Sequence, residues 1–169
     1  MLIKLNNLFK YKKEMIIGII LALIIIIFSE QYFLLVNIPS ESMENTLKVG
    51  DRVYVSKDFN IEPGKIYVFK KDIIMIKRCI AIEGDHVVIT NNSIEVNGNK
   101  LKEDYVSSKN SDDIILDVIV PKESIFFLGD NRAESFDARY WDERFVPIKD
   151  ILGEAKYIIY PIKRIRKIY

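Results

Sequence analysis

The sequence predicts a mainly β fold, an antiparallel β sandwich or distorted barrel, preceded by one N-terminal transmembrane helix. Three observations carry this. Residues 15–28 read MIIGIILALIIIIF, an unbroken apolar run behind four lysines. Beyond residue 36, short runs rich in Val, Ile, Tyr and Phe recur between turn-forming residues. Helical periodicity largely vanishes over that span, and no internal repeat or low-complexity segment is present.

The apolar run comes first. At ~1.5 Å per residue it is short for a hydrocarbon core of ~30 Å. Ser29, Glu30 and Gln31 interrupt it, and YFLLV then continues to Val36, so that residues 15–36 together reach across. Glu30 and Gln31 would lie near the outer interface, with Tyr32 and Phe33 as an aromatic anchor. Lys4, Lys10, Lys12 and Lys13 put residues 1–14 in the cytoplasm by the positive-inside rule, and residues 37–169 outside. A cleaved leader would need a small-x-small site, and FSEQYFLLV offers bulky or charged residues instead. The expected organisation is a cytoplasmic N-terminus (1–14), a membrane anchor (15–36) and an extracytoplasmic domain (37–169).

The strands follow in order at 51–57, 65–70, 72–83, 86–90, 93–96, 113–120, 124–129 and 154–162. Pro63-Gly64, Gly84-Asp85, Asn91-Asn92, Asn97-Gly98 and Gly129-Asp130-Asn131 punctuate them. HVVIT-NN-SIEV-NG-NKL reads as two successive hairpins. The polar stretch at 102–113 reads as an exposed loop.

Composition narrows the function. With 169 residues and 25 Lys+Arg against 24 Asp+Glu, the net charge is +1, which gives no support to nucleic-acid binding. The charge is uneven: residues 1–14 carry +3, the tail Lys163, Arg164, Arg166 and Lys167 carries +4, and the body between is acidic. A single cysteine excludes an internal disulfide, and neither Cys79 nor His86 has neighbours at metal-ligand spacing. No phosphate-cradling glycine loop follows an apolar run. No cofactor and no metal are therefore expected.

The segment IPSESMENTL (38–47) holds Ser40 and Ser42 immediately after the anchor. A serine hydroxyl needs a base before it can attack. His86 would require an Asp partner. Lys77, inside the apolar strand DIIMIKRCIAIE, is costly if it points inward, and burial would lower its pKa into the range of a working base. Adjacent strand residues face opposite ways, so one of Lys77 and Arg78 should face solvent. Spacing alone does not choose between the bases. Cys79 shares a face with Lys77 and reads as a small buried hydrophobe.

Four boxes in order, IPSESMENTL, GDRVYVSKD, KRCIAIEGDHV and LGDNRAESFDARYWDERFVP, resemble those of the type I (bacterial leader) signal peptidases, in the compact Gram-positive-like form. The resemblance runs from Met15 to the end. It implies that Ser42 is the nucleophile and Lys77 the general base. It further implies that the Ser40 hydroxyl and the Ser42 backbone N–H form the oxyanion hole, and that Ser135 orients the lysine. Asp130, Asn131, Arg132, Asp137 and Arg139 would brace the site. The implied substrates are signal-peptide-bearing precursors with small residues at −1 and −3, cleaved at the outer face of the cytoplasmic membrane, with the lipid bilayer as the other partner.

Three positions depart from the family pattern. Asn45 stands at a usual proline, Ala138 at a usual serine and Asp142 at a usual glycine. They bear on client range, which could be narrow, for example surface-fibre subunits. The rival reading is a degenerate signal-peptidase-like assembly protein that holds exported subunits without cutting. A self-cleaving repressor-type Ser/Lys protease would need a soluble regulatory segment where this chain has its apolar run.

Overall fold

The computed structural model describes residues 2–90, 93–106 and 114–169, leaving aside the side chains of 2–10 and 25–30. The expected Asn91-Asn92 turn, residues 107–113 of the polar stretch and the Glu30 side chain lie outside the described residues. The chain forms two compact units, Met1–Phe33 and Leu34–Tyr169.

The first unit is a single helix, α1 (Leu2–Tyr32). It begins within the expected cytoplasmic segment and stops four residues before the expected end of the anchor. Its side chains from Met15 to Ile24 are exposed all round, with no polar face. Among the described residues, no helix is long and apolar enough to cross a membrane. The tail of the expected anchor is strand β1 (Phe33–Asn37) instead. The reason is the period: Leu34 and Val36 pack against a buried cluster while Leu35 faces out, which is strand alternation.

The second unit is all β. Its strands are β2 (Arg52–Ser56), β3 (Ile66–Lys70), β4 (Ile74–Ile82), β5 (His86–Ile89), β6 (Ile94–Val96) and β7 (Asn99–Lys100). They continue with β8 (Leu116–Ile119), β9 (Ser124–Leu128), β10 (Phe145–Pro147), β11 (Ile151–Tyr160) and β12 (Arg166–Lys167). An eight-stranded sheet runs β1-β2-β11-β3-β4-β9-β10, with β12 added to β11. A four-stranded sheet runs β7-β6-β5-β8, including the expected hairpin at Asn97-Gly98.

The large sheet is covered on both faces. On one side Tyr67, Phe69, Cys79, Phe127 and Trp141 join Val87, Ile89 and Ile94 of the small sheet in one core. On the other, Ile66, Val68 and Ile76 meet Val53, Val55, Ile158, Met43 and Leu47. That is why β3 reads as a continuous apolar run rather than an alternating one.

Two-sided burial overturns one expectation. Lys77 pairs in register with Tyr67 and Arg78 with Ile66, so the two charges point into opposite cores. Both are buried, at 4% and 3% exposure, and neither faces solvent. A bulge follows directly: Cys79 pairs with Phe127 and Ala81 with Phe126, leaving Ile80 as the extra residue.

Gly153 sits where β11 is squeezed between its neighbours. A Cβ there would lie 2.5 Å from the Ser56 carbonyl oxygen and 2.7 Å from Val55 Cγ1. Backbone must move to admit it. Gly153→Ala should therefore cost about 1–3 kcal/mol, the usual cost of overpacking, read as a lower urea midpoint at unchanged slope. A midpoint equal to wild type would contradict the described packing of β2 on β11.

Candidate active site

The turn that follows β1 carries both serines. Met43 and Leu47, fully buried, pin it into the second core. Its ends are tied by Ile38 N–H to the Asp51 carbonyl at 2.9 Å and Gly50 N–H to the Ile38 carbonyl at 3.0 Å. Asp51 accepts from Lys48 N–H and takes a bidentate pair from Arg164, both contacts at 2.8 Å. Burial alone would raise the Asp51 carboxyl, but the Arg164 and Lys48 hydrogen bonds hold it below the ordinary range. Arg164, one of the four cations of the basic tail, is thus part of the frame. Ser42 is 7% exposed, while Ser40 is open to solvent, their hydroxyl oxygens 3.4 Å apart.

The loop after β9 docks on this turn. Asn131 N–H donates to the Ser42 carbonyl at 3.1 Å. Gly129 lies so close that a Cβ on it would fall 2.1 Å from Ser135 Oγ and 2.5 Å from the Ser42 carbonyl oxygen. Glycine is the one residue that fits there. Its N–H donates to Asp137 Oδ2 at 3.0 Å, and its carbonyl accepts from Arg132 Nε at 2.8 Å. Asp137 also takes a bidentate pair from Arg139, at 2.8 and 2.9 Å. Arg139 Nη2 reaches on to the carbonyls of Arg132 and Ser135, which closes the loop on itself.

The second frame is Arg78 with Asp130. Arg78 Nε and Nη2 hold the two Asp130 oxygens at 2.8 and 2.6 Å. Thr46 Oγ1 donates to Asp130 Oδ2 at 2.5 Å and accepts from Arg78 at 3.2 Å. Thr46 went unremarked in the sequence, although its place one turn beyond Ser42 made it available. Strand β4, the serine turn and the Asp130 loop therefore meet at one buried ion pair.

Lys77 stands beside it on the opposite face. Burial disfavours its ammonium and lowers it to about 8, with Asp137 and Asp130 pushing back up and Arg139 pushing further down. The Ser135 hydroxyl is buried and has no hydrogen-bond partner among the described residues. An amine that burial brings to about 8, in the field of Asp137 and Asp130, has the acidity of a general base.

The other candidates separate from this cluster. His86 does have an Asp partner, with Nε2 2.6 Å from Asp117 Oδ1, but on the exposed face of the small sheet. Cys79 is fully buried, and burial pushes its thiol up to about 12, which keeps it protonated and unreactive. Among the described residues no group of His, Cys, Asp and Glu is arranged to hold a metal. Of the three departures, Ala138 is fully buried in the first core and Asp142 is exposed. Asn45 has φ +88°, in the left-handed region that proline, fixed near −65°, cannot enter. The turn after Ser42 is therefore built differently from one with proline at that position.

Residues 8–160 match the family model described as "Signal peptidase, peptidase S26". A probable signal peptidase I-2 of Synechocystis sp. is 35% identical over 141 residues, which cover 76% of this chain and 63% of that one. The chain thus spans less than two thirds of that relative's length. Signal peptidase I P of Bacillus subtilis subsp. natto is 30% identical over 97% of this chain and 95% of its own. Signal peptidase I S of Bacillus subtilis strain 168 is likewise 30% identical, over 97% and 95%. A solved signal peptidase I from Enterococcus faecalis V583 is similar over 57% of this chain and 97% of that one, with 25% identity and a TM-score of 0.49. With the family model matched from residue 8 to residue 160, the chain belongs to the signal peptidase, peptidase S26, family of serine proteases.

Proposed function

We propose that the chain is a membrane-anchored endopeptidase that removes N-terminal signal peptides from exported precursors, using Ser42 as nucleophile and Lys77 as general base. The observation that carries the reading is Lys77, an amine inside a doubly covered sheet that burial brings to about 8. Neutral Lys77 takes the Ser42 Oγ proton as that oxygen attacks the scissile carbonyl carbon. The oxyanion accepts hydrogen bonds from the Ser40 hydroxyl and the Ser42 N–H. On collapse, the Lys77 ammonium returns its proton to the leaving amine, the new N-terminus of the mature protein. The signal peptide remains esterified to Ser42. Lys77 then deprotonates a water that attacks the ester and frees Ser42.

Ser135 orients the lysine in this reading; its hydroxyl is buried and, among the described residues, makes no hydrogen bond that would compete for it. Asp130, Asn131, Arg132, Asp137 and Arg139 hold the serine turn and the lysine strand together through the contacts described. The substrate lies extended, with main-chain hydrogen bonds along a strand and small pockets for residues −1 and −3. The apolar run at 15–28 and the lysines before it support a single span with residues 1–14 inside and the β unit outside. The cleavage site of an exported leader emerges at that same surface.

Three tests follow. Lys77→Ala and Lys77→Arg should both lose turnover, because arginine keeps the charge but cannot act as a base. In the wild type kcat/KM should rise with pH to a plateau above about 8, as the ammonium gives up its proton. Burial of that ammonium costs stability near neutral pH, and the cost fades as pH climbs past the folded value toward the unfolded one. Lys77→Met should therefore melt higher than wild type at pH 7 while being inactive. An active Lys77→Ala, or a Lys77→Met that melts lower, contradicts the assignment.

Ser40→Ala should lower kcat by about 10²–10³ with little change in KM, the pattern of a donor that acts in the transition state. Ser42→Ala should be worse. Unchanged kcat in Ser40→Ala would remove it from the oxyanion hole. For topology, a reporter joined after Tyr169 should be active only when it functions outside the cytoplasm, and cytoplasmic activity would overturn the orientation.

A further inference from the structure

The polar stretch that reads as a bland exposed loop in the sequence begins, at residues 101–106, as something else. Its residues alternate, Lys102 and Asp104 facing out while Leu101, Glu103 and Tyr105 turn in. Val106 N–H closes it onto the Glu103 carbonyl at 3.0 Å. From this one turn three contacts reach three separate parts of the site. The Glu103 carboxylate pairs with Arg132 Nη2, whose own Nε holds the Gly129 carbonyl. The Tyr105 ring lies under the Arg78 guanidinium, 4.0 Å from ring centroid to carbon. The Tyr105 carbonyl accepts from Asn45 Nδ2 at 3.2 Å.

The space behind the serine turn makes these contacts matter. An open cavity of about 470 Å³ lies there, lined by Asn45, Thr46, Arg78, Tyr105, Arg166 and Ile168. Met43 and Leu47 anchor the turn in the second core, and on the cavity side discrete polar ties hold it. Two are already assigned, Thr46 to Asp130 and Ser42 to Asn131. Arg166 Nη2 adds a third, donating to the Thr46 carbonyl at 2.7 Å, and the turn at 101–106 adds another through Asn45, whose backbone is left-handed and whose amide donates to the Tyr105 carbonyl.

We propose that Glu103 and Tyr105 are positioning residues for the Ser/Lys reaction, a clasp that fixes the serine turn against the lysine strand and the Gly129–Arg139 loop. The proposal rests on the Ser42/Lys77 reading given above. Neither residue touches a reacting atom. Tyr105 acts through Arg78, covering one face of the guanidinium whose in-plane N–H groups grip Asp130, and Glu103 acts through Arg132 and Gly129. Misplacement of a nucleophile by about 1 Å can cost about 10²-fold in rate without altering where substrate binds. The clasp should therefore appear in kcat and not in KM.

The test uses the full chain in detergent and a fluorogenic peptide with a signal-peptide cleavage site bearing Ala at −1 and −3. Rates are taken per mole of folded protein, with folding checked by circular dichroism. Tyr105→Ala should lower kcat by about 10- to 100-fold with KM within about twofold, while Tyr105→Phe, which keeps the ring on Arg78, retains most of the rate. Glu103→Ala should fall likewise, and Glu103→Gln, which keeps a hydrogen bond to Arg132, should fall less. If Tyr105→Ala does not fold, Tyr105→Leu, which keeps bulk but no aromatic face, decides by the same split. A wild-type kcat in these variants, a change confined to KM, or an equal loss in Tyr105→Phe would overturn the clasp. Ser42→Ala run in parallel separates the two levels. Cleavage that survives in Ser42→Ala overturns the Ser/Lys reading and the clasp with it. A dead Ser42→Ala beside a fully active Tyr105→Ala overturns the clasp alone.

Discussion

The buried pair of Arg78 and Asp130 is the constraint on which the rest of the site depends. Arg78 spends its guanidinium on both Asp130 oxygens, on Thr46, and on the carbonyls of Gly64 and Tyr169 at 2.5 and 3.1 Å. Segments far apart in sequence thus converge on one planar cation. A buried ion pair is a poor source of net stability, because desolvation of the two charges offsets their attraction. Its use here is registration. A guanidinium donates to carboxylate and carbonyl partners only in its own plane, so β4, the serine turn and the Asp130 loop have one way to meet.

Registration of Arg78 fixes its neighbour. Strand geometry sends Lys77 to the other face, into the core shared by the two sheets. The same strand therefore carries one cation held by hydrogen bonds on every N–H and one whose proton burial loosens. The carboxylates of Asp130 and Asp137 oppose the loss of the proton, and Arg139 favours it. This balance leaves the amine near neutrality instead of far below it, which is where a base that must take up and give back a proton is useful. The arrangement also costs stability at neutral pH, a common feature of working sites.

Much of this was legible in the sequence. Turn residues marked out most of the strands, because Gly and Asn at Gly64, Gly84, Asn97 and Gly98 adopt the left-handed conformations that tight turns require. The boxes around Ser42, Lys77 and Asp130 were readable as a resemblance, and the structure brings the residues around Ser42 and Asp130 into direct hydrogen-bonded contact. Other features were not readable, for definite reasons. YFLLV resembles the apolar run before it, and only the partners of Leu34 and Val36 reveal a strand. The demand that Lys77 or Arg78 face solvent assumed a sheet with one wet face, and both faces are covered. Glu103 and Tyr105 lie in a polar stretch whose composition says loop; their partners, Arg132 and Arg78, are distant in sequence, so no local pattern announces them.

The central claim is that the fold, by burial, keeps the Lys77 amine largely able to shed its proton near physiological pH. The most direct measurement is an NMR titration of the Lys77 side chain, followed at Nζ and Cε in the folded Ser42→Ala protein so that no turnover intervenes. The account predicts a midpoint near 8, well below that of the exposed lysines in the same sample. A midpoint that coincides with theirs would contradict it, because a lysine that stays charged at working pH cannot take the proton from Ser42.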